Sequence, residues 1–411
     1  MTADTAAALS LLSAQAVRTR AQQMLALGLD DRLPNFRIDL SLLEATAERV
    51  LVVTRQAYPS LDVPFHSRWR HFVVNGEDRF AAIAAKATWH DAAVRARAEF
   101  DLAIVSVFLD AGAGSQWRYS DGESGQRIGR SEGLALASLD MFARGAFSAD
   151  PNDPLRVDAS VLAQLTAEQL AQGFQVTDAN PLVGLDGRAA LLRRLGALAS
   201  EKPDVFARHD SARPGGLFDH IVAQNGSDTL AASQILSALL MELGPIWPSR
   251  IVLGGIPLGD CWRHPAIVAS DATNGLVPLH KLSQWLSYSL IEPLQRAGVT
   301  VSDIDGLTGL AEYRNGGLFV DSGILTLRDP AQLARAHDAG SELVVEWRAL
   351  TVALLDRLAA AVRGKLNMNA ETLPLAKILE GGSWATGRVL AREKRPDGSP
   401  PITVTSDGTV F

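Results

Sequence analysis

The sequence has almost no cysteine and no excess of basic residues. Cys261 is the only cysteine among 411 residues, so no disulfide can form within the chain and a cysteine-based zinc cluster is excluded. Lysine and arginine number 39 against 46 aspartate and glutamate residues, and the basic residues are scattered along the chain. Because binding to a nucleic-acid backbone normally requires a basic stripe, we expect no nucleic-acid partner.

Long apolar runs are also missing. The apolar stretch near the N-terminus is interrupted by serine and glutamine and has no basic segment before it, so we expect neither a signal peptide nor a membrane span. The sequence therefore predicts a cytoplasmic protein. Hydrophobic residues make up 47% of the chain, which is enough for a large core. Because single cores stop growing near about 250–300 residues, we expect one large unit, 1–411, or two lobes, 1–150 and 151–411.

The residues that are present follow mostly helical spacing. In residues 279–294 and 343–362 apolar side chains recur every three or four positions, the pattern of a helix with one buried face. Pro293 should bend or shorten the last turn of the first of these helices. Residues 317–327 predict a β-hairpin, and residues 402–411 predict another that turns at Asp407 and Gly408. The sequence therefore predicts a mainly α fold with a few short β-hairpins.

Four segments concentrate polar residues without an evident structural reason. The first, residues 63–72, places two histidines, two arginines and a tryptophan among apolar residues, and it includes Arg70 and His71. Basic side chains on either side of an aromatic ring suit anion binding combined with ring stacking. The alternative is a helix start with a solvated basic face and a core tryptophan, Trp69, and the residues leave both interpretations open.

The second segment, residues 110–133, begins at Asp110 and is rich in glycine. Small residues let the backbone approach a ligand closely, and long loops inside compact domains are frequently functional. Trp117 and Tyr119 lie in this loop, and a helix that opens at Ser131 could direct its free N–H groups at an anion. These features favour a ligand-binding loop over a surface loop whose tryptophan docks on the core.

The third segment is one face of the helix that follows Leu279. Lys281, Trp285, Tyr288 and Glu292 are spaced four, three and four residues apart, and His280 lies beside them. The alternative is an ordinary solvated face, although two large aromatic side chains make full solvation a poor fit.

The fourth segment, residues 305–321, contains Glu312, Tyr313 and Arg314 in consecutive positions before a glycine pair. In an extended chain Glu312 and Arg314 would point to the same side and Tyr313 to the other. Considered alone, this pattern favours a surface Glu–Arg pair at the entry of a hairpin.

Several long motifs identify the chain as a member of a known family. In order along the chain they are VPFHSRWRHF, LDAGAGSQWRY, RSEGLALASLDMF, NPLVGLDGRAALL, GPIWPSR and LTGLAEYRNGGLFVDSG. Together they resemble the family of the fourth uracil-catabolism protein, long described only as a domain of unknown function, over nearly the whole chain. This resemblance implies a role in the breakdown of uracil.

A second resemblance covers roughly the C-terminal third. Residues 301–314, VSDIDGLTGLAEYR, are similar to a segment of queuosine-salvage N-glycosylases that ends in Ala-Asp-Tyr-Arg. In those enzymes a lysine-bearing helix precedes the segment, as Lys281 does here, and a Glu-x-Arg-Ala helix follows it, as residues 346–349 do here. The resemblance implies a helical core related to helix-hairpin-helix DNA glycosylases and cleavage of a bond between a base and ribose 5-phosphate.

This chain departs from the glycosylase pattern at two places. Glu312 stands where those enzymes have aspartate, which changes the reach of the carboxylate. Residues 315–317 are Asn-Gly-Gly where those enzymes have Val-Pro-Gln, which fits a different and smaller leaving group.

The two resemblances together imply hydrolysis of ribosylurea 5-phosphate to urea and ribose 5-phosphate, without a metal or a cofactor. Glu312 is the candidate for the carboxylate near C1, because the C1–N bond breaks through a positively charged transition state. The candidates for protonation of urea are His71, Asp110 and Tyr313. The phosphorylated ribosyl substrate would be bound by Lys281, with Arg314 and Arg70 as secondary candidates, and further substrate contacts would come from Trp117, Tyr119 and His280. A Glu346–Arg348 pair would support Glu312 or Tyr313.

Two other functions stay open at this point. An amide hydrolase acting on a ring-opened pyrimidine nucleotide, with help from a metal, would lose activity to chelators. A non-catalytic binder of a pyrimidine-derived nucleotide would be stabilised by its ligand without converting it.

Overall fold

The structure is a computed structural model that describes residues 2–110, 112–208, 211–247 and 250–405. Helices contain most of these residues and no described strand exceeds three residues, which confirms the predicted mainly α class. The helices of eight or more residues are Ala3–Ser10, Ala14–Leu29, Leu43–Ala57, Arg79–Lys86, Ala92–Phe108, Arg130–Ala143, Leu185–Glu201, Gly216–Asn225, Ala232–Glu242, Lys281–Arg296, Tyr313–Asp321, Glu342–Leu366 and Trp384–Lys394.

Shorter helical pieces connect these helices. Four are α-helical: Ala159–Gln164, Ala167–Gly173, Pro203–Phe206 and Leu375–Ile378. Five are 3₁₀ turns: Leu40–Leu42, Arg68–Phe72, Gly244–Ile246, Ile304–Gly306 and Pro330–Ala334. One, Leu379–Ser383, is a π-helical turn. π turns inside helices often mark functional positions, and this one directly precedes the Trp384–Lys394 helix.

The strands form two-stranded pairs. The antiparallel pairs are Phe36–Ile38 with Leu325–Leu327, Val73–Val74 with Glu77–Asp78, Tyr119–Ser120 with Arg127–Ile128, Ala207–Arg208 with Ser211–Ala212, Val252–Leu253 with Ile256–Pro257, and Cys261–Arg263 with Leu276–Pro278. The parallel pairs are Thr229–Ala231 with Thr300–Ser302, and Ala336–Asp338 with Thr403–Thr405.

The predicted long helix is present as Glu342–Leu366 and lies at the centre of the fold. It packs against the helices Ala14–Leu29 and Leu43–Ala57. Buried apolar residues from both sides of residue 150 belong to one contiguous hydrophobic cluster. The division into lobes at residue 150 stays a prediction.

Residues 317–327 do not form the predicted hairpin. The segment Tyr313–Asp321 is helical, because the carboxylate of Glu312 accepts hydrogen bonds from the first free N–H groups and caps the helix. The strand Leu325–Leu327 pairs instead with Phe36–Ile38. The second predicted turn, at residues 407–408, lies outside the described residues.

Pro293 does not shorten its helix, which continues to Arg296. The ring of Pro293 leaves the carbonyl of Ser289 without its helical donor, and that carbonyl accepts from Nε1 of Trp69 instead, at 2.7 Å. The hydroxyl of Ser289 also accepts from the backbone N–H of Arg68 at 2.9 Å. The proline therefore leaves a carbonyl free for Trp69, and this contact holds the 3₁₀ turn Arg68–Phe72 against the helix.

Candidate functional site

A cavity of about 390 Å³ lies where five parts of the chain meet. Its size is within the range of about 300–1,000 Å³ typical of small-molecule sites. The side chains that carry charge or an aromatic ring into its lining are His66, His71, Asp110, Arg130, Glu132, Lys281, Trp285, Glu312, Tyr313, Arg314, Trp384, Arg388 and Asp397. These residues are far apart in the sequence, so tertiary packing alone brings them together.

Glu312 presents a buried carboxylate at the N-terminus of a helix. The side chain is 8% exposed, and its two oxygens accept hydrogen bonds from the backbone N–H groups of Arg314 at 2.7 Å and Asn315 at 2.5 Å. Burial raises the pKa of Glu312 above its ordinary value, although these two hydrogen bonds and the charge of Lys281 act to lower it. Each carboxylate oxygen keeps one further lone pair, so the group can still accept a proton or stabilise a cation.

Lys281 is placed by a buried carboxylate at the start of its helix. Asp260 accepts from the backbone N–H of Lys281 at 2.9 Å and from both terminal nitrogens of Arg348, each at 2.8 Å. Although burial opposes it, the charge and hydrogen bonds of Arg348 hold the pKa of Asp260 well below its usual range. Arg348 also donates to the carbonyl of Ala311 at 3.1 Å, so one guanidinium holds the start of the lysine helix and the residue before Glu312.

A hydrogen-bond network holds His71 and Asp110 on the cavity wall. Nη1 of the fully buried Arg68 donates to Oδ1 of Asp110 at 2.6 Å and lies 3.3 Å from Nδ1 of His71. The hydroxyl of Ser131 contacts the same oxygen at 2.5 Å and the same ring nitrogen at 3.0 Å. Asp110 and His71 are thus tied to each other through Ser131 and to the core through Arg68.

His71 is neutral at pH 7. Burial and the positive charge of Arg68 lower the pKa of its imidazole from 6.5 to about 4. A neutral imidazole carries its proton on one ring nitrogen and leaves the other free to accept. His71 can therefore offer a neutral N–H donor to a bound molecule.

Two indoles and two imidazoles form an aromatic wall beside these groups. His71 lies 5.4 Å from Trp285 and 6.2 Å from Trp384, measured between ring centroids, and His66 lies 6.2 Å and 5.8 Å from the same two rings. Nδ1 of His66 also contacts a carboxylate oxygen of Glu380, in the π turn, at 2.6 Å. The wall offers flat apolar surface on which a planar group could stack.

The comparison with known proteins places the chain in a family. A family model described as "Protein of unknown function (DUF1688)" matches residues 10–411. The chain belongs to this family. Protein urg3 of Schizosaccharomyces pombe is 42% identical over 411 residues, covering 98% of each chain. Uracil catabolism protein 4 of Lachancea kluyveri is 38% identical over 411 residues, covering 92% of each chain.

These matches confirm the family resemblance that the sequence motifs indicated. The similarity to queuosine-salvage N-glycosylases, and with it a glycosylase-like core, stays a prediction.

The structure brings half of the predicted site residues together. Six of them line the cavity: His71, Asp110, Lys281, Glu312, Tyr313 and Arg314. Burial raises the pKa of the Tyr313 phenol, so this group stays protonated and can act as a donor. The three consecutive residues Glu312, Tyr313 and Arg314 therefore lie at the cavity and not on a surface hairpin.

Four predicted substrate contacts lie elsewhere. Nε1 of the fully buried Trp117 donates to the carbonyl of Phe174 at 2.9 Å, and the Tyr119 hydroxyl donates to Asp140, so both rings anchor their loop to the core. Arg70 pairs with Glu292 at 2.8 Å. His280 is buried and contacts a backbone carbonyl, that of Leu11, at 3.0 Å.

The predicted Glu346–Arg348 pair does not form. Residues two positions apart on a helix point in different directions, and these two side chains reach different partners. Glu346 accepts from the backbone N–H of Phe36 at 2.8 Å and the side-chain amide of Asn35 at 2.9 Å. Arg348 acts on the site through Asp260, as described above.

Several cavity residues were missed by the sequence reasoning. His66 lies in the first polar segment but was not singled out there, and Arg130 and Glu132 lie in the second. Trp384 and Arg388 are four residues apart on one helix, and the guanidinium of Arg388 lies 4.8 Å above the indole of Trp384. The sequence signal for these two residues was a tryptophan and an arginine four positions apart, following a glycine pair.

Within the described ranges no group of three or more His, Cys, Asp or Glu side chains is arranged to hold a metal ion. No described helix combines the length and the apolar character needed to cross a membrane.

Proposed function

We propose that this protein acts in uracil catabolism and hydrolyses the N-glycosidic bond of a ring-opened uracil ribotide, with ribosylurea 5-phosphate as the substrate. Water adds hydroxide to C1 of the ribose and a proton to the urea nitrogen, and the products are urea and ribose 5-phosphate. The name of one relative, Uracil catabolism protein 4, supports the pathway. The observation that carries the chemistry is the buried carboxylate of Glu312 in a cavity that also contains hydrogen donors and cations.

Glu312 is proposed as the group that faces C1. A carboxylate there stabilises the positive charge that develops as the C1–N bond breaks, and it can take a proton from the attacking water. The raised pKa supports this role, since a base works best when its pKa approaches the pH at which it operates. The two backbone N–H groups fix the carboxylate in one orientation before the substrate binds.

The leaving urea needs a proton or strong hydrogen bonds, because its anion is a poor leaving group. In its Nε2–H tautomer the neutral His71 can donate to the urea, and its neutral state is set by burial and by Arg68. Tyr313 can donate from its phenol, and Asp110 keeps one oxygen that the Arg68 and Ser131 contacts do not use. The aromatic wall of Trp285 and Trp384 is suited to the flat urea group.

Lys281 and Arg314 supply positive charge for the phosphorylated sugar. Nζ of Lys281 lies 5.6 Å above the ring of Trp285, and its charge acts on Glu312. Arg314 follows Glu312 by two residues, so its backbone orients the carboxylate while its side chain reaches the cavity.

One observation favours a binding function without catalysis as the second candidate. Both oxygens of Glu312 already accept hydrogen bonds, as in an ordinary helix cap, so the carboxylate has a structural role that requires no reaction.

Product analysis separates these functions. Purified protein is incubated with ribosylurea 5-phosphate, with and without a chelator, and urea, ammonia and ribose 5-phosphate are quantified. The proposal predicts urea and ribose 5-phosphate in equal amounts, insensitive to the chelator. Ammonia release with the sugar still attached would indicate an amide hydrolase instead. Thermal stabilisation by the compound without any product would indicate the binder.

A further inference from the structure

Three arginines converge on one side of the cavity, and this convergence requires an explanation. Arg130, Arg314 and Arg388 all line the cavity. Arg130 and Arg314 lie at the starts of two helices, and Arg388 lies in the middle of a third helix. Burial lowers the pKa of the Arg314 guanidinium and the charges of Arg130 and Arg388 lower it further, whereas Tyr313 and Glu312 act to raise it. Like charges placed together are unfavourable unless an anion joins them.

The negative charge among the described residues only partly balances this cluster. Arg388 pairs with Glu132 at 2.8 Å. Nη1 of Arg314 donates to a neutral group, the carbonyl of Gly398, at 2.9 Å. Asp397 also lines the cavity, but it is exposed and accepts from the backbone of its own turn. Within the described part of the chain, Arg130 forms no ion pair.

The backbone at Arg130 adds an independent observation. Arg130 is the first residue of the Arg130–Ala143 helix and has a φ of 57°, a left-handed conformation that costs a non-glycine residue roughly 1–3 kcal/mol. Arg130, Ser131 and Glu132, the first three residues of this helix, all line the cavity, and the N-terminus of a helix favours an anion.

Lys281 and Arg388 contact different rings of the aromatic wall. Its Nζ lies 5.6 Å above Trp285, whereas Arg388 lies 4.8 Å above Trp384, and the imidazoles of His66 and His71 contact both indoles. The aromatic wall therefore has the lysine at one ring and the arginine at the other.

We infer that Arg130, Arg314 and Arg388 form the subsite for a dianionic phosphate monoester, and that Lys281 instead serves the end of the substrate near Glu312. The inference rests on the proposed function for the identity of the sugar phosphate. Guanidinium groups suit this ligand because each can donate two parallel hydrogen bonds to phosphate oxygens. A phosphate dianion also supplies negative charge beside Arg130 and Arg314, which form no ion pair within the described residues, whereas Arg388 pairs with Glu132.

The test measures binding and does not require turnover. Ribose 5-phosphate, inorganic phosphate and ribose are titrated by calorimetry into the full-length protein and into the variants Arg130→Gln, Arg388→Gln, Lys281→Gln and Arg392→Gln. Arg392 is exposed, lies one turn after Arg388 on the same helix and does not line the cavity, so it is the matched control.

We expect ribose 5-phosphate to bind, inorganic phosphate to bind more weakly and ribose to leave no signal. Arg130→Gln and Arg388→Gln should each weaken ribose 5-phosphate binding about tenfold or more, since charged hydrogen bonds are lost. Arg392→Gln should change it less than about twofold, and Lys281→Gln should weaken it less than either arginine variant does. Binding of ribose equal to that of ribose 5-phosphate, or affinity that depends on Lys281 and not on the arginines, would overturn the inference.

This experiment also separates the subsite from the proposed reaction. Arginine-dependent phosphate binding in a protein that releases no urea would support the subsite and contradict the N-glycosidase. Urea release at equal kcat/KM from ribosylurea with and without its phosphate would support the reaction and contradict the subsite.

Discussion

Gly387 brings two helices of the site into backbone contact. It lies in the Trp384–Lys394 helix, and a Cβ atom added there would meet the carbonyl oxygen of Arg314 at 2.2 Å, closer than real Cβ contacts come. The obstacle is backbone, which cannot rotate away as a side chain can. Gly387→Ala must therefore separate the helix that carries Arg388 from the helix that Glu312 caps.

The size of the effect follows from two opposing terms. Alanine in a helix is favoured over glycine by about 0.8–1.0 kcal/mol. Overpacking a tight contact costs about 1–3 kcal/mol, and a clash with backbone belongs at the upper end of that range. We expect Gly387→Ala to lower the free energy of unfolding by about 2 kcal/mol. We also expect a loss of urea release on the order of 100-fold, because displacement on the order of 1 Å at a site can cost that much.

The matched control is Gly364→Ala. Gly364 is also helical, but nothing lies within 4 Å of the added Cβ atom, so only the helix preference of alanine acts. The free energy of unfolding should therefore rise by about 0.5–1 kcal/mol. Both variants are compared with the parent protein by denaturant unfolding and by urea release. If Gly387→Ala matched Gly364→Ala in stability and activity, the close approach of the two helices would be refuted.

Three further predictions concern the buried charges of the site. Because burial raises the pKa of Glu312, the pH profile of kcat/KM should fall toward acid through a midpoint above its ordinary 4.5, and a midpoint at or below 4.5 would contradict the role of general base. His71 has a folded-state pKa of about 4 against 6.5 when unfolded, so the unfolded chain binds the proton first and stability declines as pH falls from 6.5 toward 4. Denaturant unfolding at pH 7 and pH 4 gives the loss in the free energy of unfolding between these two pH values. This loss should be smaller in His71→Gln, by about 3 kcal/mol at most, and an equal loss in parent and variant would contradict the buried neutral state. Arg68→Met should destabilise the protein by about 3–5 kcal/mol because it leaves the carboxylate of Asp110 buried without its cation. Adding Asp110→Asn should then recover part of the loss in a double-mutant cycle, and strictly additive effects would show that the two groups are not coupled.

The mainly α class and the long central helix could be predicted because they depend on local spacing. Apolar residues every three or four positions from 343 to 362 specify a helix wherever it packs, and Glu342–Leu366 is that helix. The capping role of Glu312 was harder to foresee. The glycine pair after it suggested a strand entry, and only the hydrogen bonds from the following N–H groups show that a helix begins there.

Side-chain destinations could not be read from local sequence. Trp117 and Tyr119 lie in a glycine-rich loop, as ligand contacts often do, yet their polar atoms bond to groups of distant segments and their rings are buried. The same segment does reach the cavity, but through Asp110, residues 112–115 and residues 130–132. Which member of a polar segment faces a ligand is decided by tertiary packing, and a single sequence does not record it.

The central claim is that the Glu312 carboxylate drives cleavage of the C1–N bond. The most direct measurement compares urea release from ribosylurea 5-phosphate by the parent protein and by Glu312→Gln, with ribose 5-phosphate binding as the check on folding. We predict that the variant binds ribose 5-phosphate within about a few-fold of the parent and loses about 100-fold or more in urea release, as expected when a general base is removed. A folded variant that releases urea at nearly the parental rate would contradict the claim.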